Sequence, residues 1–110
     1  MRKIETLMNA AITAKVDWAM GNTRVEYEQG NCISRVYLHG NKIAEVGGNW
    51  VRIYDGGWQT NTTKSRLNAI LQVHGIPGEG VFQKAHKWFL RSKFGPEFSV
   101  IPFFSGMRLA

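Results

Sequence analysis

Cysteine, proline and acidic residues are all scarce in this 110-residue chain, and each scarcity excludes something. A single cysteine, Cys32, leaves no internal disulfide and fits a reducing compartment. Three prolines stand beside twelve glycines, a balance that favours strands linked by tight turns. No apolar run approaches the roughly 18–20 residues that a membrane-spanning helix needs. Met1-Arg2-Lys3 has the charge of a signal n-region, but Glu5, Thr6, Asn9 and Thr13 interrupt any apolar stretch behind it. The expectation is a soluble cytoplasmic protein of one domain, residues 1–110, with no membrane contact.

Catalytic spacings are missing as well. There is no His-x-x-x-His, Cys-x-x-Cys or Gly-x-Ser-x-Gly, and no Walker A loop. His39, His74 and His86 share no spacing, and Glu26, Glu28, Glu45 and Asp55 are scattered with no reason to pair. The sequence therefore nominates no catalytic residue, no metal ligand and no cofactor, and the protein is expected not to be an enzyme.

What the chain does have is directional charge. The net charge is +6, and residues 58–110 carry nearly all of it, with seven Lys/Arg against two acids. Trp58, Phe82, Trp88, Phe89 and Phe94 lie among those cations. Such a surface attracts polyanions or an acidic protein.

Periodicity predicts an α+β fold. Ile4, Leu7, Met8, Ala11 and Ile12 form one apolar stripe of an N-terminal helix. Four β-rich stretches follow, Thr23–Gln29, Cys32–His39, Lys42–Val46 and Trp50–Tyr54, separated by Gly30-Asn31, Gly40-Asn41 and Gly47-Gly48-Asn49. Read as two-residue and three-residue loops, these predict a four-stranded antiparallel meander. That register sets Leu38 opposite Ile43 and Ile43 opposite Ile53. Val25, Tyr27, Val36, Leu38, Ile43, Val51 and Ile53 then face the core, with Glu45 a misfit, while Ala44 and Val46 fall on the wet face. A second helix, from about Thr62 to His74, is expected on the inner face and ends at Gly75. Val81–Arg91 fits either a basic C-terminal hairpin turning near Ala85-His86 or a short helix. The tail from Phe98 to Phe104 is too apolar to be free, so it docks on the domain or on a partner, where it can anchor a target protein or join two chains as a homodimer.

Three surfaces are candidates for binding. The first is the basic run Lys84, Lys87, Arg91 and Lys93 around Trp88; on a hairpin, Phe82, Lys84, Lys87, Phe89 and Arg91 would share one face. The second is the start of the second helix, where Trp58, Lys64 and Arg66 accompany several threonines. The third is the wet face of the meander, where Arg35, Tyr37, Trp50, Arg52 and Tyr54 combine stacking surfaces with cations.

The stretches Val36-Tyr37-Leu38-His39-Gly40-Asn41-Lys42-Ile43-Ala44 and Gly57-Trp58-Gln59-Thr60-Asn61-Thr62-Thr63-Lys64-Ser65-Arg66-Leu67-Asn68-Ala69 resemble small proteins of unknown function that recur in tailed-bacteriophage genomes. Val81-Phe82-Gln83-Lys84 and Trp88-Phe89-Leu90 are similar too, so the resemblance covers roughly residues 36–90. It implies a phage-encoded protein at work in the cytoplasm of a bacterial host, and it brings no activity and no site residues.

Two functions follow as expectations. The first is non-catalytic binding of nucleic acid, single-stranded or non-specific, through the basic aromatic C-terminal half. The second is inhibition of a host or anti-phage defence complex, in the manner of an anti-CRISPR protein, by docking on an acidic protein surface.

Overall fold

The computed structural model describes residues 1–109, except for the Phe94 side chain, so the aromatic role expected of Phe94 lies outside the described residues. Helix α1 spans Lys3–Ala14 and α2 spans Asn61–His74. The strands are β1 Trp18–Met20, β2 Thr23–Glu28, β3 Ile33–Leu38, β4 Asn41–Val46, β5 Val51–Ile53, β6 Gly80–Lys84, β7 Lys87–Phe94, β8 Glu97–Pro102 and β9 Met107–Leu109. They form a six-stranded antiparallel sheet in the order β1-β2-β3-β4-β5-β9 and a three-stranded antiparallel sheet in the order β6-β7-β8.

This corrects the expected α+β fold, in which a four-stranded meander carried one helix on its inner face and a basic hairpin or helix behind it. The fold is a mostly-sheet domain of nine strands in two sheets, with two helices. Of the extra strands, β8 pairs locally with β7, while β1 and β9 are short, at three residues each. Strand β9 returns from the end of the chain to pair with β5. Met107 and Leu109 are buried there, and Phe103 packs edge-on against Trp88 at 5.3 Å between ring centroids. Of the apolar tail, Ile101 and Phe103 pack against the core, while Phe98, Val100 and Phe104 stay exposed.

One hydrophobic cluster joins the elements. Met8, Ala11 and Ile12 of α1 and Leu67, Ile70 and Leu71 of α2 meet Val25, Val36, Ile43, Ala44 and Ile53 of the large sheet, and Val81 and Leu90 of the small one. Burying such side chains contributes about 1.5–3 kcal/mol each before entropy is counted.

The register of β3 and β4 differs from expectation by two residues beside the turn and by one beyond the bulge, for a reason in the turn. His39 and Gly40, at φ 51° and 79°, are the loop, so Leu38 pairs with Asn41 and Tyr37 with Lys42. Glycine takes the second central position of a type I′ turn, and Asn41 already belongs to the strand. Between Tyr37 and Val36 the ladder shifts, and Val36 pairs with Ala44. Ile43 is the extra residue of a β-bulge, so Ile43 and Ala44 both enter the core. Alternation then resumes in the other phase. Val46 faces the core with Ala44, and Glu45, the misfit of the expected register, turns outward between Arg35 and Arg52. Glu28 pairs with Ile33, so the preceding loop has four residues, Gln29–Cys32, not two.

Helix α2 starts where the threonines place it: the Thr60 hydroxyl accepts from the Thr63 N–H at 3.1 Å. It ends at Gly75 without a left-handed cap. Gly75 is required by crowding instead, because a Cβ there would lie 2.7 Å from the Leu71 carbonyl oxygen and 2.8 Å from the Glu79 carboxylate.

Candidate nucleic-acid interface

Alternation along β6 and β7 sorts the basic segment into two faces. Val81, Trp88, Leu90 and Ser92 point inward and are buried. Phe82, Lys84, Lys87, Phe89, Arg91 and Lys93 share the outer face, joined by Phe98, Val100 and Pro102 of β8. Val81–Arg91 is therefore a hairpin, turning at Ala85 and His86 with φ 52° and 63°.

The inner side holds this face in place. Asn68 of α2 donates to the Val81 carbonyl at 2.9 Å and accepts from the Val81 N–H at 2.7 Å, so its amide does what a neighbouring strand would do for the β6 edge. The Glu79 carboxylate is turned inward, accepting from the Ile76 N–H at 2.7 Å and from the Ser92 hydroxyl. One of the two acids in the basic half is thereby withdrawn from the surface.

The outer face combines stacking surfaces and cations. The Phe82 and Phe89 rings are stacked with centroids 5.8 Å apart. The Arg91 guanidinium lies 4.4 Å over the Phe98 ring, and that ring rests on Gly78, where a Cβ would approach it to 2.7 Å. Lys84 and Lys87 sit opposite each other at the hairpin tip. Among the described residues, none of Lys84, Lys87, Arg91 and Lys93 is in an ion pair. A cleft of about 530 Å³ adjoins the face, lined by Asn68, Gln72, Gly78, Phe82 and Arg91 among others.

Two expected site residues are not on any surface. Trp88 is buried against Phe103. Arg66 is 3% exposed and donates at 2.8 Å to the Glu5 carboxylate, which is 1% exposed and also accepts from the Ser65 hydroxyl at 2.6 Å. Arg66 further reaches the Thr23 hydroxyl at 3.0 Å and Asn22 at 3.3 Å, tying α2 to α1 and β2. Burial alone would raise the Glu5 carboxyl, but the hydrogen bonds from Ser65, the Arg2 backbone and Arg66 outweigh it and hold it below its ordinary value.

Lys64 is half-buried at the start of α2, and Trp58 is 77% exposed. Trp58 borders a separate cleft of about 470 Å³. Leu38, His39, Asn41 and Ile43 line one part of it, and Trp58, Thr60 and Thr62 another, so the two long phage-like stretches meet there.

The outer face of the large sheet brings Arg35, Tyr37, Trp50, Arg52 and Tyr54 together, but much of its charge is internally matched. Arg35 pairs with Glu28 and Glu45, Arg24 lies over Tyr37, and Lys42 lies over Tyr54. Burial would raise the Glu45 carboxyl, yet the Tyr54 hydroxyl, Lys42 and Arg35 together hold it low.

Residues beyond the three candidate surfaces also matter. Phe98 completes the aromatic surface, and its signal was the alternation Phe98-x-Val100-x-Pro102. Arg108 joins Trp50 through β9, signalled only by the alternation Met107-Arg108-Leu109.

Among the described residues, no helix is long and apolar enough to cross a membrane. Comparison with curated proteins and with solved structures gave no match. A family model, that of the Kyanoviridae Gp96 protein, matches residues 1–110, which extends the phage resemblance from the middle of the chain to all of it. The chain belongs to this bacteriophage protein family.

Proposed function

We propose that this protein binds single-stranded nucleic acid, without catalysis, on the outer face of β6-β7-β8. The observation that carries the reading is the composition of that face: four cations beside Phe82, Phe89 and Phe98, with no ion pair to neutralise them among the described residues. Aromatic rings on a sheet take unstacked bases, and cations alongside follow the phosphates with little regard to sequence. A duplex hides its base faces, so single strands are preferred. Membership of a phage family fits such work inside an infected bacterium.

Fluorescence anisotropy with a labelled oligonucleotide, single-stranded and then annealed, tests this. Phe82→Ala and Phe98→Ala should each weaken single-strand binding by about 5- to 150-fold, the worth of about 1–3 kcal/mol per stacked base. Duplex binding should change far less. Retention of wild-type single-strand affinity in both folded variants would refute the reading. The exposed Phe98 and Val100 also suit docking on an acidic protein of a host or defence complex. Capture of one stoichiometric protein complex after nuclease treatment, with no affinity for oligonucleotides, would decide for that inhibitor reading.

A further inference from the structure

We infer that Arg52 and Arg108, paired across β5 and β9, form an oxyanion site that takes a phosphate group. The ladder across the large sheet aligns Glu26, Arg35, Glu45, Arg52 and Arg108 in one outward row. Charge alternates along it until the last two places, where two arginines stand directly opposite each other. Like charges so placed repel.

Glu45 does not relieve them. Its carboxylate accepts from the Tyr54 hydroxyl at 2.8 Å and from Arg35 Nε at 3.2 Å, and lies 3.5 Å from Lys42 Nζ. Among the described residues, neither Arg52 nor Arg108 is in an ion pair. Both guanidinium groups instead lie against Trp50, at 5.9 Å and 5.0 Å from the ring. The indole is itself fixed: it covers Gly47 so closely that a Cβ there would lie 2.2 Å from it, and the Gly47 N–H donates to the Trp50 carbonyl at 2.9 Å.

The Arg52 Nε–H is buried and has no hydrogen-bond partner among the described residues. Two adjacent cations, one carrying a buried donor that no protein acceptor answers, favour an anion beside their guanidinium groups. Two guanidinium forks match the several oxygens and double charge of a phosphate better than a single carboxylate does. This site does not depend on the nucleic-acid reading of the small sheet.

The test follows the Arg52 Nε–H and Trp50 indole N–H signals by NMR while inorganic phosphate is added at constant ionic strength. Saturable shifts are expected in the wild type, with affinity at least about tenfold weaker in Arg108→Gln, as for loss of a charged hydrogen-bond donor. Arg108 is exposed on an edge strand, so this variant should fold. Shifts that never saturate, or that saturate alike in Arg108→Gln, would overturn the site. Arg52→Lys keeps the charge but lacks the Nε–H, and should also bind more weakly. A second arm compares a short 5′-phosphorylated oligonucleotide with its 5′-hydroxyl form. Preference for the phosphorylated form supports the site with a terminal phosphate as ligand; equal binding beside a saturable response to inorganic phosphate supports it with free phosphate.

Discussion

Removing the Arg66 side chain should strongly destabilise the protein, not merely weaken a binding surface. Its guanidinium lies 2.8 Å from the Glu5 carboxylate, and both residues are almost wholly buried. Substituting Arg66→Met leaves an uncompensated carboxylate in the interior, at a cost of about 3–5 kcal/mol. A 110-residue domain has in total about 5–16 kcal/mol, so the variant loses a large share of it. The double variant Glu5→Leu/Arg66→Met buries no charge and should recover most of the loss. Acid supplies an independent signature. In the wild type the folded-state pKa of Glu5 is lowered from 4.5, so its contribution is complete above that pH and is lost as the pH falls through the folded value. Without Arg66, two of the four contributions that lower the carboxyl are gone while burial still opposes them. Its pKa therefore rises relative to wild type, and the single variant should lose less stability than wild type as the pH falls. Urea denaturation at pH 7 and pH 4 reads both effects. A loss below about 1 kcal/mol, as for an exposed pair, or an unchanged acid slope would refute the buried-pair argument.

His74 is half-buried, and burial lowers its pKa from the ordinary 6.5. Its folded value is the depressed one, so stability should be full above pH 6.5 and decline as the pH falls below it; His74→Gln should flatten that part of the urea-midpoint profile. Ala85 and His86 turn the basic hairpin with positive φ at both positions and no glycine. Replacing the pair with Asn-Gly, the residues a type I′ turn prefers, should raise stability by about 1 kcal/mol, read as a higher urea midpoint.

Local pattern was legible where a single element determines it. The α1 stripe through Met8, Ala11 and Ile12 is buried as its spacing implies, and Thr60 caps α2. Turn chemistry was read one residue late at His39-Gly40, and the bulge at Ile43 then moved Ala44 and Val46 to the other face. No period-2 reading anticipates a bulge. β9 was invisible because its partner β5 lies some fifty residues earlier, and three-residue strands carry almost no periodicity. Arg66 was misplaced because its charge was weighed and its position was not. It stands between Thr63 and Ile70 at helical spacing, on the buried stripe of α2, within reach of an acid on α1. The basic face itself was readable from Phe82, Lys84, Lys87, Phe89 and Arg91 once the segment was taken as a hairpin. The helix alternative arises from the segment's lysine content and from Ala85-His86, a pair that does not announce a turn.

The measurement that bears most directly on the binding face is the salt dependence of single-strand affinity, for the wild type and for Lys84→Gln/Lys87→Gln/Arg91→Gln. If four cations of the face meet phosphates, the wild-type plot of log affinity against log salt should have a slope of about −2.8, at about 0.7 per phosphate contact. The triple variant should retain a slope of only about −0.7. A wild-type slope near zero, or one that the triple variant leaves unchanged, would contradict the account.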